Sequence, residues 1–390
     1  MISVADALDN IFALTVEMPV EWVPLAQAHG RVLAQNVSAR RTQPPFDNSA
    51  MDGYACRAVD AAVGATLTVI GESAAGHRFS GAVAPQQAVR IFTGAPMPDG
   101  ADRVVLQEDV ERTGDTITIT DGLDTGPHVR PAGNDFATGH ALSAPRILRP
   151  QDIALLAAMD HPNVPVRKRP TVAIIATGDE LVQPGETAGP DQIIASNSYG
   201  IAAMLEQAGA CVRMLPIAAD TAPALRQSFD LAATADLILT IGGASVGDYD
   251  LVAPVAKEIG LEQSFYKVAM RPGKPLMAGV LGNARMIGLP GNPVSAMVCT
   301  TLFVVPLIKA MLGLGQMPPA TIRATLAHDL RKNGPRQHYM RGVLKDGTVD
   351  VFDRQDSSLL SVLAQANCLA VIPPFAPEQP KGTVVDVLVL

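Results

Sequence analysis

The chain is 390 residues long, with 48% hydrophobic and 17% charged residues and a net charge of −8 at pH 7. This length is too great for one hydrophobic core, so about two to four domains are expected. The acidic balance and the absence of any block of like charges argue against a nucleic-acid surface and against a polybasic membrane anchor. An anionic small-molecule substrate would therefore need a local cationic pocket within an acidic protein.

The four cysteines, Cys56, Cys211, Cys299 and Cys368, lie far apart and form no C-x-x-C pair. This spacing fits neither a disulfide framework nor a zinc cluster. Residues 1–13 contain two aspartates and no basic segment, so no signal peptide is predicted. We therefore expect a cytoplasmic protein.

The N-terminal part begins with apolar residues at helical spacing, which predict an amphipathic helix over residues 3–16. A strand is predicted over residues 31–39. It leads into a polar loop at residues 40–55, which is broken by prolines and rich in Asp and Asn. Residues 1–43 and 144–169 together are predicted to form an N-terminal helical and linking region.

Residues 44–143 have a different texture, with short β-type runs separated by Gly, Pro and Asp. This pattern predicts a β-rich inserted domain. Two of its loops carry polar side chains, since Thr93 follows a strand end and Asp135 lies in a later turn. A helix with an apolar face is predicted over residues 150–159.

From residue 170 to about residue 316, predicted strands and helices alternate along the chain. Such alternation is typical of a parallel sheet with helices on both faces, and the whole chain is therefore predicted to be a multi-domain α/β plus β protein. The predicted strands cover residues 171–176, 212–217, 237–241 and 285–289, and the predicted helices cover residues 199–208, 222–234 and 294–310. Residues 317–390 are again β-like and predict a C-terminal β domain.

Two loops of the α/β region have the character of anion sites. Gly242 and Gly243 end a buried strand, where exposed backbone N–H groups would attract an anion. The turn from Pro290 to Pro293 precedes a helix whose first turn also favours negative charge. Because ligands bind beyond the carboxyl ends of parallel strands, both loops are expected at one edge. Ordinary strand-to-helix turns are the plain alternative.

Three cations, Lys267, Arg271 and Lys274, lie between those loops in the sequence and are expected to attract the same anion. The uncharged run at residues 286–308 is long enough to cross a bilayer, but the Pro290 turn cuts it into a strand and a helix. We predict no membrane span, and we expect the helix to be kinked at Pro306.

Acidic residues follow three of the predicted strands, at Glu180, Asp220 and Asp250. Such oxygen ligands suit Mg²⁺, which needs only one or two carboxylates besides substrate and water. The same acids could instead form structural salt bridges with the nearby cations, and the residues alone leave both interpretations open. The chain lacks the G-x-x-x-x-G-K-[ST] and H-E-x-x-H motifs, so neither a P-loop ATPase nor a zincin protease is supported.

Several motifs resemble the molybdopterin molybdotransferase family, of the MoeA and gephyrin E-domain type. Their order and spacing agree over essentially the whole chain. The motifs are PFDNSAMDGYA at 45–55, TGAP at 93–96, TGDEL at 177–181, GGASVG at 242–247, KP at 274–275 and GLPGNPVS at 288–295.

The resemblance implies a reaction in which molybdate and adenylylated molybdopterin are the substrates, Mg²⁺ assists, and AMP is released as molybdenum is inserted. Carried over by position, the family's catalytic set falls on Asp52, Thr93, Asp135, Glu180, Asp220 and Asp250, with the last three as metal ligands. Its substrate-binding set falls on Gly242, Gly243, Ser245, Lys267, Arg271, Lys274, Pro290, Pro293, Ser295, Arg341 and Ser357.

Three positions depart from the family's usual residues. Ile241 stands where a hydroxyl residue is common, Arg271 where lysine is common, and Asp356 where glycine is usual. Arginine keeps the positive charge, so oxyanion binding is expected to survive. Asp356 adds a negative charge next to Ser357, near the expected substrate entry.

The resemblance also implies partners. It predicts a homodimer in which each active site takes residues from both subunits, and it suggests a molybdopterin adenylyltransferase as a protein partner. Two other functions compete with this one. The α/β region alone resembles molybdopterin adenylyltransferase, which the Asp52 loop and the β-rich regions argue against. A non-enzymatic scaffold of the gephyrin kind would not need the intact set of acids.

Overall fold

A computed structural model describes residues 1–243 and 251–390. The chain forms two compact units, one made of Met1–Glu21 with Arg167–Leu390 and the other of Trp22–Val166. The predicted fold class, α/β plus β, is confirmed. The finer division into four regions stays a prediction.

The unit Trp22–Val166 is built mainly on a six-stranded sheet. Its strands, in spatial order, are Arg103–Leu106, Gly53–Cys56, Gln87–Ile91, Thr66–Ser73, Thr116–Ile119 and Val110–Thr113. Neighbours are antiparallel except for Thr66–Ser73 and Gln87–Ile91, which run parallel. Tyr54, Leu67 and Ile117 are among the buried side chains of its core, so the predicted β-rich domain has its own apolar interior.

Smaller elements complete this unit. A four-stranded sheet contains Val20–Pro24, Asn163–Arg167, Val32–Leu33 and Arg146–Ile147, two strand pairs join Val37–Ser38 to Ala141–Leu142 and Asn48–Ser49 to Val129–Arg130, and the helix is Pro150–Ala158. The expected strand over residues 31–39 is in fact two short strands. Between them the Asn36 side chain accepts a hydrogen bond from the Ala144 amide at 2.9 Å, at the point where the partner changes from Arg146–Ile147 to Ala141–Leu142.

The α/β part of the other unit contains a six-stranded sheet. Its spatial order is Cys211–Met214, Thr171–Ala176, Leu237–Ile241, Ala284–Leu289, Met277–Leu281 and Leu261–Tyr266. The first four strands are parallel, as predicted, and the last two add an antiparallel edge. This edge was not expected. It follows from a two-residue turn after Leu281, in which Gly282 adopts a φ of +58°.

Helices cover this sheet. They are Val4–Ala13, Asn197–Gln207, Ala222–Ala232 and Val252–Glu258, and a short strand pair, Leu181–Val182 with Ile193–Ile194, lies beside them. Ser3 caps the first helix as predicted, since its side chain accepts a hydrogen bond from the Asp6 amide and the Asp6 carboxylate accepts one from the Ser3 amide.

The last helix of the α/β part consists of Pro293–Cys299, a π-helical turn at Thr300–Val304 and Val305–Met311. The π turn directly precedes Pro306, which has no N–H to donate to the carbonyl four residues earlier. By length and composition alone this helix could cross a membrane, but 78% of its most apolar window is buried within the protein. It has the properties of a core helix.

The C-terminal part is a closed sheet. The strands, in order, are Met270–Arg271, Gln337–Lys345, Thr348–Val351, Thr321–Leu326, Val384–Val389 and Cys368–Ile372, and a short helix spans Leu360–Leu363. Gln337–Lys345 also pairs with Cys368–Ile372, which closes the sheet into a barrel. Because Met270–Arg271 belongs to the cationic segment, that segment is joined directly to the barrel.

His338, on the first long strand of this barrel, provides a test of the packing. It is 8% exposed. Burial, followed by the charges of Arg271, Arg336 and Arg341, lowers the pKa of its imidazole from 6.5 to about 4. Between these two pKa values the imidazole is protonated in the unfolded chain and neutral in the folded chain. The free energy of unfolding therefore falls as the pH drops through this window.

We expect the wild-type protein to lose about 2 kcal/mol of stability between about pH 6.5 and pH 5 from this residue alone, since one pKa unit corresponds to about 1.4 kcal/mol. His338→Gln should flatten that part of the profile of melting temperature against pH. His29→Gln, at an exposed position, is the matched control. An unchanged profile in His338→Gln would show that His338 does not cause the loss.

Candidate active site

A cavity of about 710 Å³ lies at the carboxyl ends of the parallel strands. Its walls come from four segments that follow the parallel strands, from residues 193–198, from Pro275 of the cationic segment and from Ser358 of the barrel. The lining residues are Ala176, Thr177, Gly178, Glu180, Leu181, Ile193, Ile194, Ala195, Ser196, Asn197, Ser198, Asp220, Ile241, Gly242, Gly243, Pro275, Pro290, Gly291, Asn292, Pro293, Ser295 and Ser358. The cavity therefore lies where ligands of α/β sheets usually bind, beyond the carboxyl ends of the strands.

The paired glycines Gly242 and Gly243 form one wall of the cavity, and a larger residue would not fit at either position. Gly242 has a φ of +90° and Gly243 a φ of +61°. A Cβ on Gly242 would lie 2.8 Å from the carbonyl oxygen of Thr177, and one on Gly243 would clash with the side chain of Val252. The following residues, 244–250, lie outside the described part of the chain, and with them the predicted site residues Ser245 and Asp250.

The acidic wall carries Glu180 and Asp220, two of the predicted metal ligands. The Asp220 amide donates to the Asp179 carboxylate at 3.0 Å, which holds the two acidic turns together. Burial and the charges of Asp179 and Glu180 raise the pKa of the Asp220 carboxyl. Within the described ranges, none of these acids forms an ion pair, so a pairing of Glu180 or Asp220 with Lys267, Arg271 or Lys274 is not seen there.

The opposite wall is the turn that precedes the long apolar helix. Pro290, Gly291 and Pro293 line the cavity, and Pro293 occupies the first helical turn. The Asn197 side chain donates to the Gly291 carbonyl at 2.7 Å and so fixes the turn. Ser295 also lines the cavity and is 4% exposed. This wall therefore presents a helix N-terminus, which favours an anion.

A loop of the barrel closes one side of the cavity. The Ser357 carbonyl accepts a hydrogen bond from the Val294 amide at 3.1 Å, and the Ser357 hydroxyl accepts one from Asn292 at 3.0 Å. Ser358, the next residue, lines the cavity. The carbonyl and the hydroxyl of Ser357 are thus both hydrogen-bonded to the turn and its helix, and Ser358 is the residue of this loop that faces the cavity.

The carboxylate of Asp356 forms hydrogen bonds within its own loop. Its carboxylate accepts from the Ser358 hydroxyl at 2.6 Å and from the Ser358 amide at 2.8 Å. These hydrogen bonds lower the pKa of the Asp356 carboxyl. The residue therefore orients Ser358, while its own charge is satisfied locally.

Arg341 is placed differently from the prediction. It is 1% exposed, and its guanidinium donates to Gln355 at 3.3 Å and to the carbonyls of Arg354 and Leu359 at 3.2 Å. All of these partners belong to the loop that carries Ser358. In this structure Arg341 therefore supports the cavity wall from behind, and it does not line the cavity.

The three predicted cations do not line the cavity either. Arg271 and Lys274 are exposed, and the Lys267 ammonium lies 5.1 Å from the ring centre of Tyr266. Pro275 is the residue of this segment that reaches the lining. In the part of the chain described, the cations form no ion pair, which leaves their charge available to a ligand.

The remaining predicted residues lie in the unit Trp22–Val166. Asp52 accepts hydrogen bonds from the amide and the hydroxyl of Thr93, both at 2.7 Å. These bonds hold the pKa of the Asp52 carboxyl below its usual range. The structure thus joins two residues that are 41 positions apart in the sequence.

Asp135 belongs to the same group of loops. Its amide donates to the Gln43 carbonyl at 3.1 Å, and the neighbouring Ala132 amide donates to the Asp47 side chain at 2.7 Å. The loop after Thr93 also contacts this segment, since the Met97 amide donates to the Asp47 carbonyl at 2.9 Å. Residues 43–52 therefore contact both of the loops that carry Thr93 and Asp135. We call Asp52, Thr93 and Asp135 the Asp52 cluster.

Comparison with known proteins accounts for this arrangement. Three family models match: the MoeA N-terminal region (domains I and II) at residues 2–159, a probable molybdopterin binding domain at residues 173–310, and the MoeA C-terminal region (domain IV) at residues 323–390. A molybdopterin molybdenumtransferase from Nostoc sp. is 37% identical and is aligned over 96% of this chain and 90% of its own length. The chain belongs to the molybdopterin molybdenumtransferase family.

A second relative of that name, from Haemophilus influenzae, is 35% identical over 93% of this chain and 91% of its own length. Among solved structures, the molybdopterin biosynthesis MoeA protein from Pyrococcus horikoshii has a TM-score of 0.86 at 30% identity, and it covers 100% of this chain and 99% of its own. A second solved structure, of a molybdopterin biosynthesis MoeA protein from Pyrococcus horikoshii OT3, has a TM-score of 0.84 at 28% identity and covers 100% of both chains. The predicted family and its transferase activity in molybdenum cofactor synthesis are confirmed.

Sequence reasoning missed several lining residues of this molybdenumtransferase. Thr177 and Asn292 lie inside the quoted motifs but were not assigned a role. Asn197 and Ser358 lie outside those motifs and have no signal in the sequence. Both can be identified only from the folded chain, because Asn197 bonds the Gly291 carbonyl and the residue before Ser358 bonds Asn292 and Val294.

Proposed function

We propose that this protein inserts molybdenum from molybdate into adenylylated molybdopterin, with cleavage of the pterin–AMP anhydride and release of AMP. The observation that carries this proposal is the cavity, which faces two carboxylates on one wall and a helix N-terminus on another. Its volume of about 710 Å³ is in the range of sites for small molecules. Both substrates are anionic, and each needs a compensating positive group.

The acidic wall fits a divalent cation. Glu180 and Asp220 both line this wall, and burial, followed by the charges of Asp179 and Glu180, raises the pKa of the Asp220 carboxyl. Among the described residues no group of three or more His, Cys, Asp or Glu side chains is arranged for a metal, but Mg²⁺ needs only one or two carboxylates besides substrate oxygens. We assign Glu180 and Asp220 to Mg²⁺, with Asp250 as a third candidate.

When bound, Mg²⁺ would spread the charge that develops as AMP leaves. The protein's own groups have separate tasks. The dipole of the helix that begins at Pro293 orients an anionic group, while Ser358 and Asn292 supply neutral hydrogen bonds. The Gly242 amide already donates to the Leu289 carbonyl at 3.2 Å, so the contribution of this glycine is the close approach that its missing side chain allows. Asp52, kept ionised by Thr93, is suited to act as a second fixed negative charge, since its lowered pKa makes it a poor base.

The two clusters of site residues belong to different units of the chain, and we propose that a homodimer combines them. In this arrangement the Asp52 cluster of one subunit completes the cavity of the other, and two-fold symmetry produces two equivalent sites. A cytoplasmic location and a molybdopterin adenylyltransferase as a partner that hands over the substrate are part of the same proposal.

The direct test is to incubate the purified protein with adenylylated molybdopterin, molybdate and Mg²⁺ and to follow AMP by chromatography. AMP should appear together with a molybdenum-containing pterin, and omission of Mg²⁺ should slow both. A second incubation with molybdopterin and ATP tests the adenylyltransferase alternative. Consumption of ATP with no AMP release from the adenylylated substrate would favour that alternative and contradict our proposal.

Arg271 and Lys274 are expected to attract molybdate. Arg271→Ala and Lys274→Ala should each raise the molybdate concentration needed for half-maximal rate by about tenfold, with a smaller change in the saturated rate, because an attraction felt by the bound substrate acts mainly on binding. Lys309→Ala, at another exposed lysine, is the control. If the two variants changed only the melting temperature, a structural role would be the better explanation.

A further inference from the structure

Arg90 makes contacts that converge on the Asp52–Thr93 pair. It lies on the strand Gln87–Ile91, directly opposite Tyr54 of the strand that follows Asp52. Its guanidinium carbon is 5.1 Å from the ring centre of Tyr54 and 4.8 Å from that of Phe92. Both distances are within the range of a cation–π contact.

The hydrogen bonds of Arg90 reach the residue that follows Asp52 and a second residue that is bonded to Asp52. One terminal nitrogen donates to the Gly53 carbonyl at 3.2 Å, and the other donates to the Gln107 side chain at 2.7 Å. The Gln107 amide in turn donates to the Asp52 carbonyl at 3.2 Å. A single side chain therefore contacts the residue after Asp52, a residue bonded to Asp52, and the residue before Thr93.

We propose that Arg90 is a positioning residue, which fixes the Asp52–Thr93 pair for the transfer reaction by joining the two chain segments that carry it. This inference rests on the role of Asp52 in the proposed function. The strand ladder between Gly53–Cys56 and Gln87–Ile91 ends before Asp52 and Thr93. Beyond the ladder, the Arg90 side chain supplies a rigid connection between the segments.

Lysine could not take this position without loss. The guanidinium is planar and offers donors in a fixed fork, so it can lie over two rings and bond two acceptors at once. An ammonium would keep the charge but would reach fewer of these partners. Arg90 also adds a favourable charge for the ionised Asp52, in the same direction as the hydrogen bonds from Thr93.

The experiment compares Arg90→Met in two backgrounds, wild type and Asp52→Asn. In the wild-type background the saturated rate of AMP release should fall about 10- to 100-fold with little change in half-saturating substrate concentrations, because small displacements of a reacting group are costly. In the Asp52→Asn background the same change should cost less than about threefold, because residues that act as a unit are not additive. Arg90→Lys should remain slow, since it restores charge but not the fork.

A second measurement does not depend on activity. Hydrogen exchange at the Thr93 amide, which Asp52 protects, should become faster in Arg90→Met at a temperature where the protein is fully folded. Arg112→Met, which removes an exposed arginine from the far edge of the same sheet, should alter neither exchange nor rate. If Arg90→Met is too unstable to purify, Gln107→Met removes one partner and should show the same pattern more weakly.

The outcomes are distinct. Equal losses of rate in both backgrounds, or unchanged protection of Thr93, would overturn the role of Arg90 and leave the proposed function intact. A wild-type rate in Asp52→Asn would overturn the assignment of Asp52 and, with it, the role of Arg90. A wild-type protein that releases no AMP would contradict the proposed function, while the exchange measurement would still decide whether Arg90 holds the pair.

Discussion

Replacing Glu180 with glutamine is expected to slow AMP release by about 100-fold or more, which corresponds to about 3 kcal/mol of lost transition-state stabilisation. The reason is the donor set of the acidic wall. Glu180 and Asp220 are the two carboxylates that line the described cavity, and a hard divalent cation held by so few protein oxygens cannot lose one without a large loss of affinity. The amide keeps the size of the side chain, so the fold should remain intact.

Asp220→Asn should reduce the rate of AMP release in the same way. It should not reduce the stability of the folded protein, and it should raise that stability slightly if it changes it. Burial and the charges of Asp179 and Glu180 raise the pKa of this carboxyl in the folded protein. A carboxyl with a raised pKa costs stability above that pKa, and the cost disappears as pH falls below it. In the absence of Mg²⁺ at neutral pH, the variant should therefore melt at the same temperature as the wild type or higher.

These two variants also separate a metal site from a structural ion pair. Removal of one member of a buried ion pair lowers stability, whereas removal of one of several crowded acids does not. The measurements are AMP release against Mg²⁺ concentration and melting temperature with and without Mg²⁺, with Glu206→Gln as the control on the exposed face of a neighbouring helix. Near wild-type rates at low Mg²⁺ in Glu180→Gln would contradict the assignment of this residue.

The parts of the fold that sequence reasoning found are those with a strong local pattern. The strand Thr171–Ala176 and the strand Leu237–Ile241 were predicted with their observed ends, because both are continuous apolar runs that stop at glycine or a polar turn. Their parallel pairing followed from the alternation with helices. The position of the cavity at their carboxyl ends followed from the pairing.

The parts that were not found depend on contacts between distant segments. Ser358 lines the cavity because Ser357 bonds the Val294 amide and the Asn292 side chain, and because Arg341 holds the loop from inside the barrel. No periodicity in the sequence encodes that contact. The resemblance to the family pointed to Arg341 and Ser357, but only the folded chain shows which of their groups are already engaged with the protein.

The connection between Asp52 and Thr93 lies between these two cases. Both residues stand in family motifs, yet their hydrogen bond requires the loop after one strand to meet the loop before another. Local patterns in this unit are short, since many of its strands have two to five residues. The sequence could therefore indicate the β-rich class of the unit and could not indicate how its loops are arranged.

The second large effect is expected from mixtures of two inactive chains. Asp52→Asn and Glu180→Gln alter different clusters, one in the unit Trp22–Val166 and the other in the cavity of the second unit. If each active site takes one cluster from each subunit, a mixed dimer contains one site with both changes and one site with neither. Random exchange of equal amounts of the two chains should then restore about a quarter of the wild-type sites.

Each parent should be almost inactive alone, so this recovery is a rise of at least about tenfold over either parent if each change costs about 100-fold. The experiment needs proof that subunits exchange, which two affinity tags provide, and light scattering to establish the dimer. A control mixture pairs Glu180→Gln with Asp220→Asn. Both changes lie in the same cavity wall, so every site of that mixed dimer keeps one defect and activity should stay low. If proven mixed dimers of Asp52→Asn and Glu180→Gln remain as inactive as this control, the two clusters act within one chain, because every site would then carry one of the two changes.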